Sequence, residues 1–424
     1  MLEINKIRLN KEKVIELLRV KNFKAAEEKI NNLIDLDEKK RQVQKQLEDI
    51  KAELNVKSKE IGQYMKDGSK EMAEKAKTEV ANLKENSKDL EKELSEKEQE
   101  IEGLLLSIPN LPHSSVPKGK TAEDNIVEYI DGKIPKLWEG ATPHWDLCAK
   151  YDIVDFELGN KITGSGFPVY KGKGAKLQRA LINFFLDEAV NSGFAEVQPP
   201  LMVNEASAMA TGQLPDKEGQ MYAIPLDGFY MIPTAEVPIT NIFRDVIVSE
   251  KDFPICKTAY SQCFRREAGS YGKDVRGLNR LHQFDKVEIV CIDHPDHSYE
   301  QLEIMKKHVE NLLHKLELPF RVLRLCGGDM SFTSALTFDF ETYSVAQDRW
   351  LEVSSVSNFE TFQSNRLKLR FKNQEGKTQL AHTLNGSALA LPRIVASLLE
   401  NNQTPEGIRI PKALIPYTGF EIID

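Results

Sequence analysis

The chain of 424 residues has few cysteines and no long apolar run, and each shortage excludes a class of protein. Its five cysteines include no Cys-x-x-Cys pair, and the odd count predicts reduced, buried thiols instead of a disulfide framework or a cysteine-rich zinc site. No stretch approaches the ~18 apolar residues of a membrane-spanning helix. The segment Met1–Lys6 carries an acid early and lacks the apolar stretch of a secretion signal. We therefore expect a cytoplasmic protein with no membrane association.

Two common catalytic signatures are also missing. The absence of Gly-x-x-x-x-Gly-Lys-Ser/Thr disfavours a P-loop enzyme, and there is no Gly-x-Ser-x-Gly nucleophile elbow. The net charge of -8 does not by itself support nucleic-acid binding, although local basic clusters leave that possibility open. The composition is that of a soluble globular protein, and the length predicts two domains.

Residues 30–106 contain no proline and are crowded with Lys, Glu, Asp and Gln. Two series of residues that recur every seven positions precede the turn residues 66–69, and two more follow the turn. This spacing is that of the a/d seam of a coiled coil. Two such blocks around one turn predict an antiparallel helical hairpin that extends ~50 Å. An intermolecular coiled coil is the alternative, and the turn argues against it because it already supplies an intramolecular partner. The seam positions are Leu33, Lys40, Leu47, Leu54 and Ile61; Leu36, Val43, Ile50, Lys57 and Tyr64; Ala76, Leu83, Leu90, Lys97 and Leu104; and Val80, Ser87, Leu94 and Ile101.

The domain organisation follows from this change in composition. We assign 1–106 to an N-terminal domain that carries the arm (about 30–106), 107–120 to a proline-containing linker, and 121–424 to a second domain. In the second domain strands and helices alternate without regular βαβ spacing, which favours an antiparallel α+β fold. The predicted elements are helices at Lys176–Ser192 and His297–Leu316, an edge strand at Val197–Val203 interrupted by Pro199-Pro200, and strands at Phe320–Leu325, Thr337–Tyr343 and Trp350–Ser355.

A predicted hairpin carries the most informative chemistry. Strands over Thr258–Glu267 and Leu281–Ile292 flank a glycine-rich basic loop, 268–280. Strand alternation would place Arg265 and Glu267 on one face, and Phe284 and Glu288 on one face of the return strand. A guanidinium clamps phosphate or carboxylate, an aromatic ring stacks on a base, and a carboxylate accepts from an exocyclic amine. The alternative is a surface hairpin with a mobile loop.

A helix is predicted after the small residues Asn385-Gly386-Ser387. Ser387 is a candidate N-cap, Pro392 is compatible only with the first turn, and Arg393 would lie near the positive end of the helix. Such an end attracts anions, and an arginine strengthens a phosphate site. Ordinary helix packing with a solvated arginine is the alternative.

Two further segments place carboxylates beside hydroxyls. Thr234-Ala235-Glu236 could bind an ammonium group at a strand end, or it could be a helix N-cap with an acidic first turn. Glu352-Val353-Ser354-Ser355 would end a strand, with Ser355 just beyond it, and supplies oxygen ligands suited to Mg²⁺. His294-Pro295-Asp296-His297 lies in a polar turn that opens a helix, so capping is favoured over a metal site.

Together these segments resemble the bacterial-type seryl-tRNA synthetases, which are class II aminoacyl-tRNA synthetases. Gly193–Pro200 resembles motif 1, Phe264–Glu267 through Phe284 resembles motif 2, and Ala388–Arg393 resembles motif 3. These signals identify the class. Similarity to the serine-specific enzymes depends on Thr234–Glu236, on His382–Ser387 and on the heptad arm.

The resemblance implies a homodimer with an antiparallel sheet flanked by helices and an N-terminal coiled-coil arm. It also implies a two-step reaction: ATP and L-serine give seryl-adenylate and pyrophosphate, and the seryl group then passes to the 3′ end of tRNA(Ser). Whether tRNA(Sec) is also charged stays open. The arm would grip the long variable arm of tRNA(Ser) by backbone and shape contacts, with Lys40, Lys51 and Lys57 among the candidates.

Site residues carry over from the family's motifs one position at a time. Arg265 would bridge the α-phosphate and the serine carboxylate, Arg393 with Arg280 would hold the γ-phosphate, and no side chain would act as a nucleophile. Glu267 would accept from the adenine amino group and Phe284 would stack on the base. The implied ATP site is Arg265, Arg266, Glu267, Arg280, Phe284, Glu352, Val353, Ser354, Ser355 and Arg393, with Mg²⁺ on Glu352 and Ser355. The implied serine site is Thr234, Ala235, Glu236, Arg265, Glu288, Asn385 and Ser387.

Three other functions are compatible with parts of this pattern. A non-catalytic tRNA-binding protein could keep the arm, but four intact site residues argue against it: Arg265, Glu267, Glu352 and Arg393. A ligase that charges a carrier protein would lack the long heptad arm. Another amino-acid specificity, such as threonine, would share the class II motifs.

Overall fold

The structure is a computed structural model, and it describes residues 1–216, 219–267 and 276–424. They form two compact units, of which the first comprises Met1–Arg19 and Phe23–Pro109 and the second comprises Val20–Asn22 and Asn110–Asp424. No helix in the described ranges combines the length and the apolar character needed to cross a bilayer. The five cysteines are free and mostly buried, as their spacing predicts.

The bounds of the elements are as follows. The helices are α1 (Ile4–Leu9), α2 (Lys11–Val20), α3 (Ala26–Lys66), α4 (Lys70–Ser107), α5 (His144–Lys150), α6 (Phe156–Ile162), α7 (Gly172–Asn191), α8 (Glu205–Thr211), α9 (Glu236–Asn241), α10 (Ser298–Lys315), α11 (Thr361–Leu367), α12 (Leu391–Asn401) and α13 (Ile415–Thr418). The strands are β1 (Ile126–Asp131), β2 (Val154–Asp155), β3 (Val169–Tyr170), β4 (Ala195–Glu196), β5 (Met202–Asn204), β6 (Ala223–Ile224), β7 (Phe229–Met231), β8 (Ile247–Ser249), β9 (Ile255–Phe264), β10 (Gln283–Asp293), β11 (Phe320–Arg324), β12 (Leu336–Ser344), β13 (Arg349–Glu360), β14 (Arg370–Lys372), β15 (Thr378–Leu380), β16 (His382–Ala390), β17 (Gln403–Thr404), β18 (Gly407–Arg409) and β19 (Ile422–Ile423).

The first unit contains the predicted helical hairpin. Helices α3 and α4 pack against each other around a turn in which Gly68 adopts a left-handed φ of 75°, a conformation that suits glycine. Seam residues along the hairpin are buried, including Leu33 and Leu47 on α3 and Val80 and Ile101 on α4. With 41 residues, α3 is ~60 Å long, somewhat more than the predicted length. The prediction of an antiparallel arm is confirmed.

Lysines in and beside the seam form ion pairs across the hairpin. Lys40 Nζ lies 2.9 Å from a carboxylate oxygen of Glu98, and Lys57 Nζ lies 2.9 Å from one of Glu79. Lys51 makes the equivalent contact with a glutamate of α4, at 2.8 Å. Because a lysine stem can pack along apolar surface while its ammonium group stays in water, the seam tolerates these residues. The three lysines suggested for tRNA are therefore already paired with the opposite helix.

An eight-stranded sheet forms the centre of the second unit, within the part of the chain that the structure describes. Its order is β1-β11-β12-β13-β16-β10-β9-β4, and only the short β4 runs parallel to its neighbour. Helices α7, α10 and α12 contribute to the main apolar core against this sheet. The predicted antiparallel α+β fold is confirmed.

The predicted helices are present with small shifts. Helix α7 begins at Gly172, four residues before the predicted start, and Gly193 follows its end with a φ of 92°. Helix α10 matches the second prediction to within one residue at each end.

The predicted edge strand over residues 197–203 is wrong. Strand β4 ends just before this segment, β5 begins within it at Met202, and the two belong to different sheets. Pro199 and Pro200 lie between them. Proline has no N–H to donate to a ladder, so the pair interrupts the ladder hydrogen bonding along the segment between β4 and β5.

Candidate active site

Two adjoining cavities lie over strands β10, β13 and β16 of the sheet. The arginine cavity is lined by Arg265, Glu267, Arg280, Phe284, Glu352 and Arg393 together with Leu278 and Asn279. The carboxylate cavity is lined by Thr234, Glu236, Glu288, Ser355, Ser357 and Asn385. Six residues border both: Arg265, Glu267, Arg280, Lys286, Glu352 and Ser387. Most of the residues implied by the motifs thus meet in one continuous space.

Arg265 and Glu267 reach the arginine cavity by a route that strand alternation did not predict. Strand β9 ends at Phe264, so neither residue is on a strand. Glu267 has a φ of 48°, uncommon for a residue with a side chain, and its N–H donates to Gln220 Oε1 at 3.1 Å. Arg265 Nε donates to the carbonyl of Pro233 at 3.3 Å. These contacts, and not a pleat, aim the two side chains into the cavity.

An aromatic ring and two opposite charges lie side by side in the arginine cavity. The guanidinium carbon of Arg265 is 5.1 Å from the centre of the Phe284 ring, within cation–π range. Arg280 Nη1 donates to Glu267 Oε2 at 3.1 Å. A flat apolar face beside fixed positive charge suits a ligand in which an aromatic base is joined to an anionic group.

Helix α12 begins later than the sequence suggested. Ser387 lies inside β16, and the helix starts at Leu391 with no side-chain cap, so the assignment of Ser387 as N-cap is wrong. Pro392 is in the first turn, as its missing N–H requires. Arg393 follows it and donates from Nε to the carbonyl of Asn279 at 3.0 Å and from Nη1 to that of Glu352 at 2.7 Å. Two backbone carbonyls therefore orient this guanidinium.

A β-bulge rearranges the residues of β13. The strand runs to Glu360, so the expectation that Ser355 lies beyond its end is wrong. Across the bulge Phe340 pairs with Ser354, whereas Glu341 pairs with Glu352. Glu352 and Ser355 border the carboxylate cavity, while the Ser354 hydroxyl donates to the carbonyl of Ser387 at 2.6 Å. Because a bulge shifts the alternation by one residue, a regular strand pattern could not predict this arrangement.

Asp339 adds a second carboxylate beside Glu352 and Ser355. It pairs with Ser355 across the β12–β13 ladder. Burial and, after it, the charge of Glu352 hold the pKa of Asp339 well above its usual range. Its Oδ1 is buried without a hydrogen-bond partner among the described residues. Two carboxylates and a hydroxyl with an unused oxygen fit a hard divalent cation such as Mg²⁺, which completes its shell with water and phosphate.

The described ranges contain no group of three or more His, Cys, Asp or Glu residues that could hold a metal ion by themselves, so the hydroxyl of Ser355 belongs to this candidate site. Asp339 was not predicted as a site residue, because only the register between β12 and β13 brings it close to Ser355.

The floor of the carboxylate cavity is a closed hydrogen-bond network. Lys286 Nζ pairs with Glu288 and donates to Thr234 Oγ1 at 2.9 Å. Thr234 in turn donates to Glu288 Oε2 at 2.9 Å, and Asn385 Nδ2 donates to Glu288 Oε1 at 3.1 Å. Lys286 was missed, although it lies two residues before Glu288 and strand alternation places both on one face.

Glu236 occupies a buried position at the start of α9. It is the first residue of that helix, so the predicted acidic first turn is present, although the N-cap residue, Ala235, makes no side-chain cap. The Glu236 N–H donates to Thr234 Oγ1 at 3.2 Å. Gln363 Nε2 donates to its Oε1 at 2.6 Å and is itself held by Thr383. Burial first, and the charge of Glu288 second, raise the pKa of Glu236 to about 7. A buried carboxyl group that ionises near neutrality suits a cationic ligand.

Two residues that the motifs implied lie away from these cavities. Arg266 is exposed, and its backbone N–H donates to the carbonyl of Gln220 at 3.0 Å. Ala235 is fully buried in a small apolar cluster with Ile239, Ala259 and Val290. Neither is among the described residues that line the two cavities. The basic loop 268–275 lies outside the described residues.

Comparison with known proteins agrees with this geometry. The seryl-tRNA synthetase N-terminal domain model matches residues 1–112, and the class II tRNA synthetase core domain model (G, H, P, S and T) matches 223–402. A serine–tRNA ligase of Salinibacter ruber is 50% identical over 99% of this chain and 98% of its own length. One of Chlorobaculum parvum is 46% identical over the full length of both. The chain belongs to the seryl-tRNA synthetase family.

Solved seryl-tRNA synthetase structures are similar over the whole chain. The enzyme from Pyrococcus horikoshii complexed with ATP has a TM-score of 0.92 at 33% identity and covers 100% of this chain and 99% of its own. The cytoplasmic enzyme from Naegleria fowleri in complex with AMP has a TM-score of 0.89 at 27% identity, with the same coverage. The family resemblance drawn from the motifs is confirmed.

Proposed function

We propose that this chain is a serine–tRNA ligase that activates L-serine with ATP and transfers the seryl group to the 3′ end of tRNA(Ser). Sequence identities of 50% and 46% to two serine–tRNA ligases, over nearly the whole chain, support the activity. The observation that carries it is the meeting of the two cavities at Arg265, which borders both. One guanidinium can therefore contact a nucleotide phosphate and an amino-acid carboxylate at the same time.

The arginine cavity is proposed to bind ATP. Phe284 would stack on adenine, Glu267 would accept from its amino group, and Arg393 with Arg280 would hold the γ-phosphate. Arg265 would bind the α-phosphate and stabilise the charge that grows there as the serine carboxylate attacks. Mg²⁺ held by Glu352 and Ser355, with Asp339 close by, would neutralise phosphate charge when bound.

The carboxylate cavity is proposed to bind serine. The ionised Glu236 would pair with the ammonium group, and Glu288, Asn385 and Ser387 would bind the hydroxyl. Alanine would leave these buried polar groups without a partner, and a pocket built around a hydroxyl rejects such an analogue strongly. Thr234 supports both carboxylates through its hydroxyl, since it donates to Glu288 and accepts from the Glu236 N–H.

We further propose that the arm binds tRNA(Ser), that the active species is a homodimer and that it acts in the cytoplasm. The paired state of Lys40, Lys51 and Lys57 makes other arm residues better candidates for RNA contact. The described active-site residues do not discriminate tRNA(Sec) from tRNA(Ser), so both belong in a charging assay. Sedimentation would measure the oligomeric state.

ATP–pyrophosphate exchange with a panel of amino acids tests the activity. Serine should support exchange, and alanine and threonine should support far less. If none of the amino acids supports exchange, the result would favour a non-catalytic tRNA-binding protein. A preference for threonine over serine would overturn the proposed serine specificity. A carrier-protein ligase would show serine-dependent exchange but no charging of tRNA(Ser).

A further inference from the structure

A buried polar cluster behind the arginine cavity has no part in the proposed reaction. His144 on α5 and Glu400 on α12 have fully buried side chains, with His144 Nδ1 2.7 Å from Glu400 Oε1. The same oxygen accepts from the His144 backbone N–H and from Gln347 Nε2, both at 3.0 Å. Ser344 donates its hydroxyl to the other carboxylate oxygen. Four donors therefore surround one buried carboxylate.

The hydrogen bond at Nε2, the second ring nitrogen of His144, determines the tautomer of the ring. Nε2 lies 2.9 Å from the backbone nitrogen of Leu278, whose N–H can only donate. Nε2 must accept this bond, so the neutral ring carries its proton on Nδ1, where it donates to Glu400. A hydrogen-bonded line thus runs from Glu400 through His144 to Leu278.

This line ends at the wall of the arginine cavity. Leu278 and Asn279 both line it. Asn279 Nδ2 donates to Gln347 Oε1 at 3.0 Å, and the Asn279 carbonyl accepts from Arg393 Nε at 3.0 Å. His144 therefore holds Leu278, and Gln347 holds the adjacent Asn279, whose carbonyl is one of the two that orient Arg393.

Gly277 permits the close approach on which this arrangement depends. It adopts a φ of 66°, and a Cβ atom at this position would lie 2.2 Å from His144 Nε2. A side chain here would push the imidazole away from Leu278. The contact between ring and backbone therefore requires glycine.

The cost of burying these polar groups indicates that the cluster does not serve to stabilise the core. Desolvating a carboxylate is costly, and replacing buried polar pairs by apolar residues is often neutral or stabilising. Glu400 also lies one residue before the end of α12, where the helix dipole disfavours an anion. What the cluster does provide is a fixed position for Leu278 and Asn279.

We propose that His144, Glu400 and Gln347 are positioning residues for nucleotide binding. They hold Leu278 and Asn279 so that Arg393 points into the arginine cavity with its guanidinium already oriented for a phosphate. This inference rests on the proposed function, because it takes the phosphate to be that of ATP.

ATP binding by His144→Leu and His144→Gln is the first test. Equilibrium dialysis without serine measures the Kd for ATP, and pyrophosphate exchange measures the KM for serine. His144→Leu leaves the Leu278 N–H unsatisfied and should weaken ATP binding about tenfold, with the serine KM within about twofold. His144→Gln retains an acceptor and should lose about threefold or less. Equal losses in the two variants, or a parallel rise in the serine KM, would overturn the proposal.

A double-mutant cycle covers the case in which His144→Leu does not fold. Gln347 is only half-buried, and Gln347→Leu should weaken ATP binding about fivefold. Arg393→Lys lacks the Nε that bonds Asn279, so adding Gln347→Leu to it should change the Kd by less than about twofold. Full additivity would show that Gln347 does not act through Arg393. If the wild-type protein binds ATP but shows no serine-dependent exchange, the proposed function fails while the dialysis measurements still decide the positioning role.

Discussion

The arm and the active site both pair lysine with glutamate, but in opposite surroundings. In the arm, the side chains of Lys51 and Glu91 are 53% and 51% exposed. In the site, those of Lys286 and Glu288 are 7% and 1% exposed. Exposed pairs contribute about 0–1 kcal/mol, whereas breaking a buried pair costs about 3–5 kcal/mol. The same type of ion pair therefore contributes little to stability in the arm but is essential in the active site.

Connectivity explains the difference as much as burial does. The exposed Lys51–Glu91 pair of the arm joins two side chains that remain in contact with water. In the carboxylate cavity Glu288 accepts from Thr234 and Asn385 as well as from Lys286. Removing one member leaves several buried groups unsatisfied, so the effects of substitutions there should be large and non-additive.

The largest expected effect concerns Arg265, which borders both cavities. Arg265→Ala should lower kcat/KM for pyrophosphate exchange by at least about a thousandfold, because it removes charge stabilisation in the transition state. The matched control in the arm, Arg41→Ala, should leave exchange unchanged. Exchange by Arg265→Ala at a tenth of the wild-type rate would contradict the assigned role.

Breaking the buried pair should cost the most stability. Lys286→Met leaves the Glu288 carboxylate buried without its cation and should lower the free energy of unfolding by about 3–5 kcal/mol in chemical denaturation. Lys286→Met with Glu288→Leu should recover much of this loss while remaining inactive. A double variant no more stable than the single one would mean that the pair is not the cause.

The substitution Glu236→Gln should raise the stability of the protein but abolish its activity. The folded-state pKa of Glu236, about 7, lies above the ordinary 4.5, so its contribution to stability is complete below pH 4.5 and is lost as the pH rises to about 7. Near pH 8, Glu236→Gln should therefore raise the free energy of unfolding by about 3 kcal/mol, and near pH 5 by much less. Denaturation at the two pH values measures this difference.

The same substitution should remove serine activation, because an amide does not attract an ammonium group. In the wild-type protein the serine KM should fall as the pH rises through neutrality and Glu236 ionises. A serine KM that is independent of pH over this range would argue against Glu236 as the ammonium partner.

Deleting most of the arm should separate the two regions completely. With residues 35–100 replaced by a short Gly-Ser turn, serine-dependent exchange should persist, while kcat/KM for tRNA(Ser) charging should fall roughly a hundredfold, about 2.7 kcal/mol. Parallel exchange and charging assays on one preparation provide the comparison. Equal loss of both activities would refute the division of labour.

The smallest expected effect is that of an arm ion pair. Lys51→Met should change the free energy of unfolding by less than about 1 kcal/mol. Because Lys51 is already paired with Glu91, tRNA charging should change little as well. A strong loss of charging would mean that this lysine leaves its glutamate to contact RNA.

Local signals were read correctly from the sequence. The heptad spacing and the turn near Gly68 predicted the arm, because every seventh residue of a helix returns to nearly the same side. The motif segments also identified most of the residues that meet in the two cavities. Errors occurred where backbone geometry departs from a regular pattern, at the bulge between Glu352 and Ser354 and at Glu267 beyond the end of β9.

The sequence by itself therefore determined the arm, the fold class and the chemical groups of the site. The tertiary structure alone decided which of those groups are paired and which are free to bind a ligand. Gln363 and Asp339 join the site through partners on other elements, Glu236 and Ser355. His144 meets Glu400 across 256 positions. Burial and pairing depend on residues that are distant in the chain, and no local pattern encodes them.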